Sequence, residues 1–158
     1  MKFNKLFISL LFFSASTFIQ AADFIEVKKT LTINADIDTV WAKIGGFCAI
    51  KEWHPAVAEC EAYDDHGTQY RTLTLADGAK ISEKHGGAEA TSYSYYIKKS
   101  PFPVKTYKAT FAATGDANST TINWSAKFKA KGAPDEEAKS VIDGVFTAGM
   151  ASIEAMFK

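Results

Sequence analysis

The sequence predicts an α+β domain: a first strand, two short helices, six consecutive strands and one long C-terminal helix. Three observations carry this reading. Apolar and polar residues alternate in seven segments, which is the strand period. Short clusters of Gly, Asp, Asn and Pro separate the last six of these, so sequential strands pair as an antiparallel meander. Residues 133–158 instead repeat their apolar residues at helical spacing.

The first strand is DFIEVKKTLTINA, residues 23–35, where Ile25, Val27, Leu31 and Ile33 alternate with polar neighbours. The period then changes. In DIDTVWAKIGGF, residues 36–47, Ile37, Val40, Trp41 and Ile44 lie at helical spacing, with Asp36 and Asp38 at the favourable N-terminal end and Gly45-Gly46 as the stop. FCAIKEWHP, residues 47–55, follows as a second short helix. Pro55 ends it, because proline disfavours helix in the residue before it. The six strands are expected at 56–63, 68–75, 79–85, 91–98, 105–114 and 120–131, broken by DDHG, ADG, GG, SPFP and TGDAN. In the last helix Pro134 suits the first turn, with Asp135, Glu136 and Glu137 behind it. Ala138, Val141, Ile142, Val145, Ile153 and Met156 form its apolar stripe, and Gly149 falls on the same stripe. A glycine there costs about 1 kcal/mol of helix propensity, so it serves close packing or leaves room against the helix.

Residues 1–22 are read apart from this domain, which spans 23–158. Lys2 and Lys5 precede an apolar run from Leu6 to Ile19, and Ala21-Ala22 follows. That is the layout of a secretory signal peptide cleaved after Ala21 or Ala22. The alternative is an uncleaved anchor, but the run is shorter than the about 20 apolar residues of a membrane span. The expected location is periplasmic or secreted. The chain has 158 residues with 47% hydrophobic, 23% charged and 13% aromatic content, enough to fill a core and line an apolar cavity. Its 18 basic and 18 acidic residues become 16 against 18, a net charge of −2, once Lys2 and Lys5 are set aside. No basic run remains, which disfavours nucleic acid and anionic membranes as partners. Cys48 and Cys60 are the only cysteines. In an oxidising compartment they are a possible disulfide; the other reading is two small buried hydrophobes.

RTLTLADGAKISEKH, residues 71–85, fixes its own register. Ala76-Asp77-Gly78 fits a three-residue loop closed by a left-handed glycine. Leu75 then faces Ala79, Leu73 faces Ile81, and Arg71 faces Glu83, all on one side of the hairpin. Arg71 is the only arginine among 17 lysines. Its planar fork suits a carboxylate as lysine does not. One reading places the pair in a pocket, orienting a polar ligand head. The other is a structural pair or a solvated sheet face. On the first, Arg71→Ala should weaken binding more than it lowers stability.

The element order, together with VW at 40–41, WHPAV at 53–57, RTLTLADG at 71–78 and VIDGVFTAGM at 141–150, resembles the SRPBCC or START-like superfamily, in its exported bacterial branch. This superfamily includes polyketide cyclases and the birch-pollen-allergen fold. The resemblance covers essentially residues 23–158. It implies a helix-grip fold, in which a curved seven-stranded antiparallel sheet wraps the long C-terminal helix and encloses an apolar cavity.

On such a fold Ile122, Trp124, Ala126 and Phe128 share the expected inner face, as do Tyr107, Ala109 and Phe111, and Tyr93, Tyr95 and Ile97. Plain core is the bland reading of each. As a set they suggest cavity wall, with Trp53, Tyr95, Tyr107, Trp124 and Phe128 apolar and Arg71, Glu83 and His54 polar. The second short helix is expected at the cavity mouth, with Trp53 as lid or wall. His54 is then expected at or near the rim, able to bond a ligand or titrate near neutral pH. A catalytic His54 is the alternative, but no nucleophile or G-x-S-x-G elbow accompanies it. His54, His66 and His85 come from separate elements, and His66 reads as part of a solvated turn, so neither a metal nor a cofactor is expected. NST at Asn118 matches a glycosylation sequon and carries little weight in a chain that resembles bacterial proteins.

The first expected function is therefore binding of a small hydrophobic ligand: a lipid, an aromatic compound or a polyketide-like molecule. The second is a cyclase, dehydratase or hydrolase using the same cavity, its acid–base pair drawn from His54, Glu83 and a tyrosine. The third is an accessory protein for a periplasmic partner, as the resemblance implies for relatives linked to methanol oxidation.

Overall fold

The computed structural model describes residues 23–158, so the signal-peptide reading of residues 1–22 lies outside the described residues. The elements are β1 (Ile25–Ile33), α1 (Ile37–Ile44), α2 (Ile50–Trp53), β2 (Val57–Asp65), β3 (Thr68–Leu75), β4 (Lys80–Glu89), β5 (Ser92–Lys99), β6 (Val104–Gly115), β7 (Thr120–Ala130) and α3 (Asp135–Met156). All seven strands form one antiparallel sheet in the order β1-β7-β6-β5-β4-β3-β2. The meander runs from β2 to β7, and β1 closes against β7. The long helix α3 packs on the inner face, the helix-grip arrangement. No helix among the described residues is long and apolar enough to cross a membrane.

Local chemistry explains the joints. The Asp36 carboxylate accepts from the Thr39 amide at 2.8 Å and caps α1. His66 and Gly67 both take positive φ, 51° and 78°, the geometry of a two-residue hairpin turn between β2 and β3. Gly78 has φ 84° and donates its amide to the Leu75 carbonyl at 2.9 Å, so the 75–79 loop closes as the sequence implies.

Three expectations are corrected. Gly86-Gly87 does not end β4, which continues to Glu89. The pairing with β5 shifts between His85 and Gly87, and Gly87 has φ 119°, so the glycines form a bulge inside the strand. On α3, Pro134 is the N-cap rather than a first-turn residue, and the buried face is Ala138, Ile142, Phe146, Gly149, Met150 and Ile153. Val141 and Val145 are only half-buried and Met156 is exposed. The buried line follows 3.6 residues per turn more closely than the predicted stripe, which gave Phe146 and Met150 no role.

Cys48 and Cys60 form a disulfide with Cα atoms 5.5 Å apart, tying the loop before α2 to the edge strand β2. A Cys48→Ser/Cys60→Ser variant should lose about 3 kcal/mol, the loop-closure entropy for a short loop. Urea denaturation should show this loss, and added reductant should reproduce it in the native protein. An unchanged midpoint would leave the bond without a stabilising role.

Candidate functional site

The inner face of the sheet, α2 and α3 line a partly open cavity of about 120 Å³. Leu73, Leu75, Ile81, Tyr95, Ile97, Tyr107 and Trp124 line it from the sheet, Ile142, Val145 and Phe146 from α3, and Ile50, His54, Ala56 and Val57 from α2 and the chain leaving it. Phe102, in the loop between β5 and β6, completes the wall. Strand alternation puts these sheet residues inside. The stack of Trp124 on Phe146, with ring centroids 4.0 Å apart, joins sheet to helix.

Glu83 is the one carboxylate on this wall. It pairs in register with Arg71, and the Arg71 Nε donates to Glu83 Oε2 at 2.6 Å. Arg71 Nη1 donates to the Phe47 carbonyl. The guanidinium lies 4.2 Å from the Phe47 ring centroid and 5.1 Å from that of Tyr95, within cation–π range of both. Arg71 is fully buried, and its Nη2 has no hydrogen-bond partner among the described residues. It stands behind Glu83 rather than on the cavity wall. Burial pushes the Glu83 carboxyl above the ordinary range, against the pull of the guanidinium. Burial acts to lower the Arg71 pKa, but the attraction of Glu83 and the neighbouring tyrosines outweighs it and raises the value, so the guanidinium stays charged.

The phenols beside this pair are equally dry. Trp124 Nε1 donates to Tyr95 Oη at 2.9 Å. Burial pushes both Tyr95 and Tyr107 above the usual phenol range. They therefore act as neutral donors and acceptors.

His54 differs from the expected rim residue. Its side chain is buried, and both ring nitrogens are engaged. Nδ1 accepts from the Ala56 amide at 3.2 Å, which makes Nε2 the protonated nitrogen that donates to the Val145 carbonyl at 3.0 Å. A ring so held fastens α2 to α3 and has no free nitrogen for acid–base work. Burial pushes its pKa down. The native state thus binds fewer protons than the unfolded chain between the two pKa values. Stability from His54 is present above its unfolded value of about 6.5 and is lost as pH falls through the folded value. His54→Gln should reduce the loss of stability between neutral pH and about pH 5, measured as urea midpoints. An unaltered pH slope would contradict this role.

Comparison with known families turns this geometry into a classification. The family described as polyketide cyclase / dehydrase and lipid transport matches residues 25–158. The chain belongs to that family. Among solved structures, the protein XoxI from Bacillus cereus is 26% identical, with 84% of this chain and 94% of that chain covered and a TM-score of 0.76. The Zhui aromatase/cyclase from Streptomyces sp. R1128 is 17% identical over 84% of this chain and 93% of that chain, with a TM-score of 0.68. A START superfamily protein from Mycobacterium smegmatis is 14% identical over 84% of this chain and 96% of that chain, with a TM-score of 0.67. At such identities the last two show the helix-grip fold alone. A comparison with curated protein sequences finds no match.

In this member of the cyclase/dehydrase and lipid transport family, the residues singled out from sequence divide into two sets. Glu83, Tyr95, Tyr107, Trp124 and the His54 ring line the cavity. Trp53, Arg71 and Phe128 do not; they form the layer behind it. Trp53 stacks on Phe111 at 5.3 Å and donates to the Ile44 carbonyl, and Phe128 stacks on Tyr107 at 5.7 Å. Gly149 makes room for rings of both sets: a Cβ there would meet Trp124, His54 and Trp53 at 2.8 to 3.0 Å. Sequence reasoning missed Phe146, Phe102 and Val57 as wall. For Phe146 the signal was available, since it lies four residues beyond Ile142 on one helical face.

Proposed function

We propose that this protein is an exported carrier of a small apolar ligand. The observation that carries the reading is the cavity: about 120 Å³, almost wholly apolar, with a single carboxylate on its wall. An apolar cavity of about 150 Å³ takes up benzene, so this smaller one of about 120 Å³ fits a ligand no larger than about six heavy atoms without rearrangement. Lipid- or polyketide-sized ligands, which need about 300 Å³ or more, require α3 or the 100–103 loop to yield. Glu83 supplies an acceptor for one hydroxyl or amine on the ligand. The leader-like residues 1–22 and the Cys48–Cys60 disulfide support a periplasmic or secreted location.

A second reading, a cyclase, dehydratase or hydrolase, draws on the raised pKa of the buried Glu83 carboxyl beside neutral phenols. His54 contributes nothing to it, because both its nitrogens are bonded. Native mass spectrometry of protein exported to the periplasm separates the readings. A stoichiometric small molecule released on denaturation supports the carrier. An empty protein that turns over a small cyclisable substrate, with a pH–rate profile set by Glu83, supports the enzyme. An inert, empty protein that captures a periplasmic partner returns weight to an accessory role.

A further inference from the structure

The outer face of the sheet carries a groove of about 630 Å³, and its lining includes Lys84, Lys98, Lys108 and Lys127 with no acidic residue. The lysines are not scattered. The ladders align Lys84 with Tyr96, Tyr96 with Lys108, and Lys108 with Lys127 across four strands. Like charges directly opposed across strands destabilise a sheet. Lys127 is relieved by Glu26 at 3.5 Å, and the Lys108 ammonium lies 5.6 Å from the Tyr96 ring centroid. Among the described residues Lys84, Lys98 and Lys108 have no carboxylate partner. This cationic concentration sits on a domain of slightly negative net charge, and nothing in the packing of the sheet requires it.

The floor of the groove is the second observation. Ile97 and Tyr107 line both the groove and the inner cavity. The β5–β6 ladder stops at Tyr96 and Lys108. Beyond it Ile97 and Lys99 pair only with β4, while Val104 and Lys105 pair only with β7. Between them β6 is shifted in register, and Thr106, a β-branched residue, has φ 52°. A β-branched residue in the left-handed region is a strained outlier, and such strain gathers at functional sites. The sheet is therefore split where Ile97 and Tyr107 line both the cationic groove and the apolar cavity.

Building on the carrier reading, we propose that this split is the portal and head-group site for an anionic amphiphile. Its carboxylate rests among Lys84, Lys98 and Lys108, and its apolar body passes between Ile97 and Tyr107 into the cavity. The charge sign of the groove selects the head. The small cavity takes only part of the chain, which leaves the head outside, away from Glu83.

Octanoate and 1-octanol test this by isothermal titration calorimetry on the mature protein. Octanoate should bind at least about tenfold more tightly at low ionic strength, and salt should erode the advantage by screening exposed charges. Lys98→Glu/Lys108→Glu should remove or reverse the advantage. Ile97→Trp, which thickens the wall, should slow association of both ligands in stopped-flow fluorescence. Equal affinities, an advantage that survives charge reversal, or an association rate indifferent to Ile97→Trp would overturn the portal while leaving the carrier reading intact. Failure of both ligands to bind would remove the carrier reading and the portal with it.

Discussion

Arg71→Met should cost about 3–5 kcal/mol of folding stability, because it strands the buried Glu83 carboxylate without its partner. Arg71→Met/Glu83→Leu should recover most of that loss. Desolvating two charges offsets much of their attraction, so an apolar pair of similar volume performs nearly as well. The Nε–Oε2 bond of 2.6 Å, the cation–π contacts with Phe47 and Tyr95 and the complete burial of Arg71 all belong to a fixed structural unit. Such a unit favours the structural-pair reading of Arg71, for which substitution costs stability first, over the pocket reading, for which it weakens binding more than it lowers stability. The sign of the pH effect follows from Glu83. Its carboxyl is held above the unfolded value of about 4.3 by burial, and removing Arg71 raises it further. Stability from a raised acid is present below its unfolded pKa and lost as pH rises through its folded pKa. The deficit of Arg71→Met should therefore shrink as the solution is acidified from pH 7 towards about pH 4. Urea denaturation across that range decides it: a deficit below about 1 kcal/mol, or one indifferent to pH, would show that the pair is not the buried unit described.

The same hairpin shows what a sequence can disclose. A three-residue loop closed by glycine dictates which residues face each other, so the Arg71–Glu83 pairing is legible in the sequence. Alternation placed Trp124, Phe128, Tyr95, Tyr107 and Phe111 on the inner face for the same local reason. Depth was not readable. Whether Glu83 or Arg71 meets the cavity depends on where Phe47 lies, in a loop outside the hairpin. His54 looked like a titratable rim residue because its anchor, the Val145 carbonyl, is 91 residues away. Gly149 gave the sign of a close approach but not its object, since the three rings that meet there come from α2, the residue after it and β7. Local periodicity fixes faces and registers; assignments to wall or second layer arise from contacts between distant elements.

Phe146→Ala should be the other costly substitution, about 3–5 kcal/mol for a large buried aromatic whose cavity does not fully collapse. Phe146 is buried, stacks on Trp124 at 4.0 Å and forms part of the cavity wall, so the space it vacates adds directly to the existing 120 Å³. That continuity separates this variant from an ordinary core truncation. A lone void gains nothing from larger ligands, whereas an enlarged carrier cavity accepts a ring the native protein excludes. Naphthalene-sized probes should bind Phe146→Ala more tightly than the native protein, and at saturation should return part of the lost stability through mass action. Thermal denaturation with and without the probe measures both effects together. A variant destabilised as expected but indifferent to every apolar probe would mean that the space beside Trp124 is core, and that the carrier reading assigns the wrong part of the fold to its ligand.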